Sequence, residues 1–304
     1  MAGLNWYERF VEKVKSRKGN STVTYSFQTN GILLDESWCN FFIENNFLLG
    51  LSIDADRKIH DSKRQTLSGE GSFDACMKAK ELLDKTGVDY NILSVLTNEL
   101  ARESEKAFRF ILRENIRYIQ FIPCMEPGLT GSPHSSNVGS LRPALFAGFY
   151  TKLLPLWIKE YESGNYISIK FFDDTYNYFI KGSPNLCGIN GNCNNQSVVE
   201  ADGSVYPCDF YCFDEYHTGN LAESTIGELL DNEMAKRFLN DKPVLHSICT
   251  SCPYLNVCRG GCKRMRGIVY PAEGDSICGY RAFLEKCLLP LKYTVEKGTS
   301  DIQK

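Results

Sequence analysis

Apolar residues recur along the first half of the chain with two alternating periods. Leu4, Tyr7, Phe10, Val11 and Val14 fall at helical spacing, which predicts an opening helix. TVTYSFQTNG then reads as a strand ending in an Asn30-Gly31 turn. DESWCNFFIENN reads as a helix with Asp35 as its N-cap. FLLGLSIDAD is a second strand, apolar on both faces as a buried parallel strand is. SFDACMKAKELLDKTG predicts a helix from Ser72 to a terminating Gly87, and VDYNILSVLT a third strand. ARESEKAFRFILREN is the next helix and IRYIQFIPCME the fourth strand. Such alternation implies an α/β fold with right-handed βαβ units and a parallel sheet. Chemistry in these sheets gathers at the carboxyl ends of the strands. Here those ends carry Gln28, Thr29 and Asn30, then Ser52 and Asp54, then Ser94 and Thr97, then Cys124 and Glu126.

The pattern then changes. Residues 127–140 are rich in Gly, Ser and Pro and read as a loop. LRPALFAGFYTKLLPLWIKEYESG reads as helical, and YISIKFFDDTYNYFIKG opens a connector. From Cys187 onward the predicted elements shorten, cysteines become dense and turns such as EADGSVYP appear. This places a domain boundary near 184–187 and divides the chain into 1–140, 141–184, 185–282 and 283–304. No internal repeat is present. The start is unusual, because a helix precedes the first strand. Four strands with three crossovers make neither a closed barrel nor a comfortable open sheet, and an unpaired first strand exposes backbone and an apolar face. The expectation is that strands belonging to this sheet lie upstream of Met1.

Composition narrows the function classes. The chain has 304 residues, 43% hydrophobic and 23% charged, as in a soluble globular protein with a sizeable core. Its net charge of −3 gives no nucleic-acid surface. The first residues lack the apolar stretch and small-residue cleavage site of a signal peptide. The most apolar run, ALFAGFYTKLLPLWI, is interrupted by Lys152 and Pro155, so no membrane span is expected. Thirteen cysteines without a secretion signal argue for metal or redox chemistry in a reducing compartment, not for disulfides. The two glycosylation sequons, at Asn20 and Asn195, then carry no meaning.

Eight of the cysteines are spaced as ligands: Cys187-x5-Cys193, Cys208, Cys249-x2-Cys252-x5-Cys258-x3-Cys262, and Cys278. Thiolates bind soft metals, and a sulfur-rich set means zinc or iron–sulfur. Eight ligands make two four-cysteine sites, and spacing alone does not separate the two metals. Gly188, Gly191, Gly260 and Gly261 allow backbone to approach closely and donate N–H bonds to sulfur. Arg259, Lys263, Arg264 and Arg266 either offset thiolate charge or form a solvated basic face. Cys39, Cys76 and Cys287 read as core thiols. Cys124 reads as core more readily than as cavity-facing, and Cys212 as an ordinary buried thiol more readily than as a spare ligand. The four histidines show no ligand spacing.

The segments CGINGNC, VEADGSVYPCDFY, GNLAESTIGEL, CTSCPYLNVCRGGCKR and CGY resemble the SPASM domain of radical S-adenosylmethionine enzymes. More narrowly, the chain resembles the anaerobic sulfatase-maturating enzymes. SFQTNGILLDESW, LLGLSIDADRKIHD, YNILSVLT and YIQFIPCMEP match that family's barrel strands three to six. The resemblance implies a partial radical-SAM (β/α) barrel followed by a cysteine-rich SPASM domain. It implies two auxiliary [4Fe-4S] clusters, the first on Cys187, Cys193, Cys208 and Cys262, the second on Cys249, Cys252, Cys258 and Cys278. It makes Asp209, in PCDFY, the proton acceptor, with a solvent-facing or supporting carboxylate as the plain alternative. It implies conversion of a sulfatase Cys or Ser to Cα-formylglycine, a sulfatase polypeptide as partner, a reductant such as flavodoxin or ferredoxin, and a cytoplasmic setting.

Two family motifs are absent from the sequence. No C-x3-C-x2-C occurs, the motif whose thiolates hold the third [4Fe-4S] cluster that cleaves S-adenosylmethionine, and no Gly-Gly-Glu-Pro. MAGLNWYERF resembles the segment that follows the latter, so the chain reads as the family truncated there, and as inactive alone. Candidates for S-adenosylmethionine contact are Asn30, Ser52, Asp54 and Arg64, each also explicable as a turn or cap residue. The family often has Gly-Pro after the Asp, where this chain has DAD. Two other functions fit the residues: maturation of a ribosomal peptide, and a non-catalytic iron–sulfur or zinc binding module.

Overall fold

The computed structural model describes residues 2–125, 141–182, 187–241 and 244–302. Glu126, the loop 127–140 and the predicted boundary residues 184–186 lie outside these. The chain divides into two units, Met1–Cys124 with Phe149–Asp173 and Leu291–Lys304, and Met125–Gly148 with Asp174–Pro290.

In the first unit the predicted alternation is realised. Helix α1 (Leu4–Arg17) precedes β1 (Tyr25–Thr29), α2 (Glu36–Glu44) and β2 (Phe47–Ser52). Asp35 caps α2 by accepting from the Trp38 N–H at 3.0 Å, which satisfies one of the free amides at the helix start. Then come α3 (Arg57–Lys63), α4 (Phe73–Thr86) and β3 (Tyr90–Leu96). Gly87 ends α4 at φ +77°, a left-handed cap that suits glycine. The single helix expected over 101–115 is two, α5 (Asn98–Arg102) and α6 (Ser104–Arg113), which meet at Glu103. Thr97, at the end of β3, starts the first of them by capping Leu100. Helix α3 has no counterpart in the predicted pattern, because seven residues with only Ile59 apolar carry no readable period.

After β4 (Tyr118–Pro123) and α7 (Pro143–Glu162) comes a fifth strand, β5 (Ser168–Ile169), where a connector is expected, and then α8 (Lys170–Phe179). The parallel sheet runs β1-β2-β3-β4-β5. Two residues are too few to register as a strand in the sequence. Packing supplies the missing signal: Trp157, on α7, is buried and its Nε1–H donates to the Ile167 carbonyl at 2.7 Å, just before β5. Ser168 and Ile169 then pair with Tyr118 and Ile119.

Strand β2 is internal to the sheet and mostly buried, although Leu48 faces out, 52% exposed. Strand β1 is an edge, hydrogen-bonded to β2. A group of aromatic rings, Tyr7, Phe27, Trp38, Phe42 and Phe47, joins α1, β1, α2 and β2 at ring separations of 5.2–5.9 Å. Cys39 and Cys76 are core thiols, as expected.

The second unit has little regular structure. Three short antiparallel strands, β6 (Val198–Val199), β7 (Ser204–Tyr206) and β8 (Gly219–Asn220), form its sheet. Helix α9 (Ile226–Asp231) begins with a Thr225–Glu228 capping box, and α10 (Glu233–Asn240) is capped by Asn232. Helices α11 (Ser247–Thr250) and α12 (Leu255–Cys258) are single turns. Helix α13 (Gly279–Ile302) follows, and Tyr280, Phe283, Leu284 and Cys287 on it are buried.

Replacing Trp157 with Phe keeps the ring but removes the donor to Ile167, leaving a buried carbonyl unpaired. The expected loss is about 1–3 kcal/mol of stability, read as a lower urea midpoint at unchanged slope.

Candidate metal centres

The eight ligand-spaced cysteines, all on the second unit, are reduced. Their electrostatic neighbourhoods sort them into two groups. Cys193 acts on Cys187, both act on Cys262, and Cys262 acts on Cys208. Cys249 and Cys252 act on Cys258, and Cys249 and Cys258 act on Cys278. In sequence the groups interleave, since Cys262 joins the first and Cys258, four positions earlier, the second. The fold makes this possible at Gly188. Its carbonyl accepts the Cys262 N–H at 3.1 Å and the Tyr270 hydroxyl at 2.7 Å, tying the start of the unit to the Cys258–Cys262 turn.

That turn needs its glycines. Gly261 sits at φ +69°, and a Cβ there would overlap the Tyr270 ring. Cys249, Cys252, Cys258 and Cys278 line one small cavity together with Tyr254, Tyr270 and Tyr280. Among the described residues, no three His, Cys, Asp or Glu side chains gather as ligands of a single ion. Both groups offer thiols alone, a donor set that zinc and iron–sulfur clusters share.

Burial raises the thiols of Cys187, Cys193 and Cys258, that of Cys208 to about 12, and those of Cys262 and Cys278 to about 11. Backbone N–H groups work in the opposite direction. Phe210 donates toward Cys208, Gly260 toward Cys258, Arg264 and Met265 toward Cys262, and Tyr280 and Arg281 toward Cys278. The Arg281 amide lies 3.4 Å from the Cys278 sulfur. These are the N–H···S bonds that stabilise a metal-bound thiolate. Metal uptake at such thiols must release protons.

Of the basic residues beside the ligands, Arg259 is exposed, while Lys263 and Arg266 turn inward. Arg266 lies against Gly260. Its Nε and Nη2 are buried without a hydrogen-bond partner among the described residues. Its Nη1 donates to the Pro271 carbonyl at 3.3 Å, so the guanidinium is only partly satisfied. Asp209 is exposed, and its Oδ1 accepts from the Cys208 thiol at 3.3 Å. Cys212 is half-buried and donates toward the Cys208 carbonyl at 3.6 Å.

The carboxyl end of the parallel sheet holds a second polar site. Asp54 is 3% exposed. Its carboxylate accepts from Arg64 Nε at 2.8 Å, Arg64 Nη2 at 3.3 Å and the Val95 N–H at 2.8 Å. A buried carboxylate is tolerable only when paired in this way. Ser52 ends β2, and Ser94 on β3 accepts from the Ala55 N–H. Asn30 is exposed and closes its own turn by accepting from the Ile32 N–H. Cys124 is half-buried and feels Lys63 and Asp54, so it belongs to this edge and not to the core.

The residue that sequence reasoning missed here is His60, on α3. It is fully buried. Its Nδ1 accepts the Asp54 N–H at 3.2 Å, which places the ring proton on Nε2, facing Ser72 Oγ at 3.1 Å. The Ser72 hydroxyl donates in turn to the Arg64 carbonyl at 3.0 Å. His60 therefore holds both partners of the Asp54–Arg64 pair. No metal-ligand spacing signals such a role. Asn98 Oδ1, just past β3, is buried without a hydrogen-bond partner among the described residues, an acceptor open to a bound donor.

A parallel α/β sheet with polar groups at its carboxyl edge, followed by two groups of four cysteines, defines a radical S-adenosylmethionine protein with a SPASM domain. Residues 187–253 match the SPASM family, described as an iron-sulfur cluster-binding domain. The cysteine-type anaerobic sulfatase-maturating enzyme of Clostridium novyi is 37% identical over 301 residues, covering 97% of this chain and 80% of that enzyme. The serine-type enzyme of Bacteroides thetaiotaomicron is 31% identical over 316 residues, 95% of this chain and 76% of its own. A solved structure, native anSMEcpe with bound AdoMet and Cp18Cys peptide, aligns with a TM-score of 0.87 at 34% identity, covering 98% of this chain and 82% of that one. The chain belongs to the anaerobic sulfatase-maturating enzymes.

Two outcomes follow from this geometry. Gly261→Ala forces the Tyr270 ring out of its place and is expected to lower the iron bound per chain after anaerobic reconstitution. Burial also depresses the His60 pKa below its ordinary 6.5. The unfolded chain then takes up the proton first, so stability is full above about pH 6.5 and declines as pH falls below it. His60→Asn, which keeps an acceptor for the Asp54 N–H, is expected to flatten that decline in urea titrations.

Proposed function

We propose that this chain takes part in oxidising a cysteine of a sulfatase polypeptide to Cα-formylglycine, and that it binds two auxiliary [4Fe-4S] clusters. The first is held by Cys187, Cys193, Cys208 and Cys262, the second by Cys249, Cys252, Cys258 and Cys278. The observation that carries this reading is the sorting of eight thiols into two groups of four, with an exposed carboxylate, Asp209, beside the first. Cysteine as the target residue is supported by the cysteine-type relatives, 37–38% identical against 28–31% for the serine-type.

S-adenosylmethionine with its own cluster supplies the hydrogen-abstracting radical, and the auxiliary clusters supply a route for the electron that leaves the substrate. The protein's task is to hold and move protons and charge. Asp209 accepts the proton lost as the substrate carbon is oxidised. Its exposure leaves it open to a peptide, and its contact with Cys208 keeps it beside the first cluster. At the sheet edge, Asn30, Ser52 and Arg64 would hold S-adenosylmethionine. Asp54 acts through Arg64, since its oxygens are already engaged. Cleavage needs the C-x3-C-x2-C thiols that this sequence does not contain, so the chain by itself is expected to yield no 5′-deoxyadenosine. A flavodoxin or ferredoxin fits the need for low-potential electrons.

Anaerobically reconstituted protein is expected to hold about eight iron and eight sulfide. Cys208→Ala and Cys252→Ala are each expected to halve that, from different clusters with different EPR signals. Zinc in place of iron, or loss of the same signal in both variants, would overturn the assignment. In the assembled maturase, Asp209→Asn is expected to cut formylglycine yield by about 10²–10⁴-fold at unchanged iron content. An unaffected yield would remove Asp209 from the reaction.

A further inference from the structure

Lys263 follows the ligand-spaced Cys262 directly, yet its side chain is only 7% exposed. A lysine that deep costs free energy unless its donors are satisfied. Its ammonium donates to the Phe238 carbonyl at 2.6 Å and the Asp241 carbonyl at 3.2 Å, and lies 3.7 Å from the Asp241 carboxylate. It also sits 4.0 Å from the centre of the Phe238 ring and 5.6 Å from that of Tyr211. Those carbonyls belong to the last turn of α10 and its cap, so part of its work is to close that helix.

Its other side faces sulfur. Lys263 and Cys193 line one cavity of about 310 Å³, together with Gly191, Asn192, Asn194, Asp241 and Gly261. Its charge acts on the Cys193 thiol in the direction that favours the thiolate, while Asp241 acts in the other. The pair is asymmetric, because the Asp241 side chain is 57% exposed and water screens it, whereas the ammonium is shielded. At Cys193 the ammonium therefore outweighs the carboxylate.

We propose that Lys263 is a positioning residue for electron transfer, a fixed buried cation that raises the reduction potential of the first auxiliary cluster. This rests on the two-cluster reading above. A cluster gains one negative charge on taking an electron, and a neighbouring cation that cannot move away lowers the cost of that charge. No proton or bond changes place. Asp241 tempers the effect, and α10 holds both members of the pair at a fixed distance from Cys193.

The test is an EPR-monitored redox titration of the reconstituted chain, with iron and sulfide measured on the same samples. Lys263→Met, of similar length and uncharged, is expected to lower one midpoint and leave the other in place. The reduced-to-oxidised ratio at the wild-type midpoint should fall about tenfold, 59 mV for a one-electron couple. Asp241→Asn is expected to shift the same midpoint upward, and Lys263→Arg to restore it. A helix-capping role alone predicts no such opposition of sign. Unchanged midpoints with intact iron, or shifts of the same sign in the Met and Asn variants, overturn the proposal. If Lys263→Met loses its iron, an unmoved midpoint in Asp241→Asn overturns it equally. Wild-type protein that binds no iron would instead remove the two-cluster reading itself.

Discussion

Burying a thiolate is costly unless positive charge or hydrogen-bond donors replace the water it loses, and the second unit is arranged around that constraint. It has three strands of two or three residues and several single-turn helices, too little regular structure to organise a core by backbone pairing alone. What it has instead is a set of amides turned toward sulfur and two inward-facing cations, Lys263 and Arg266. The glycine-bearing turn between Cys258 and Cys262 exists to bring these donors in, and the Tyr270 ring is packed against it. Where ligands must be deprotonated to bind, the free energy of binding becomes free energy of folding.

The first unit solves a different electrostatic problem by ordinary means. Asp54 is a charged group inside the carboxyl edge of a parallel sheet, and the fold neutralises it with Arg64 and a backbone amide. His60 and Ser72 then fix the loop that carries Arg64. The chain of contacts runs from α3 through the start of α4 and back, so a short helix with no readable pattern governs the geometry of the edge.

How much of this could be read from the residues depended on the length scale involved. Long periodic segments such as those of α1, α2 and α4 announced themselves, because each repeats its apolar face several times. Strand β5 did not, since two residues cannot show alternation and its place is set by Trp157 on the preceding helix. The break between α5 and α6 is a local capping event at Glu103 within a continuous apolar pattern. At the thiol sites, residue type and spacing singled out eight candidate ligands, and the family resemblance proposed the pairing that spacing left open. Cys124 was misjudged because a strand's last residue can belong either to the core or to the edge. His60 and the buried orientation of Lys263 were invisible, because a side chain's partners across the fold leave no mark in the pattern around it.

The interleaving of the two cysteine groups has a topological consequence. One group joins residues 187 to 262 and the other joins 249 to 278, so the segment 249–262 lies inside both closures. Two staples that overlap in this way behave unlike two in series. Closing either one shortens the free chain that the other must span, and the entropy of the second closure is partly prepaid by the first. The shared segment is the fourteen-residue CTSCPYLNVCRGGC, whose first three cysteines belong to one group and whose last belongs to the other. With a cluster on each group, as proposed above, whichever centre formed first would act as a template for its neighbour, and the unit would gain a cooperativity that its small sheet could not provide.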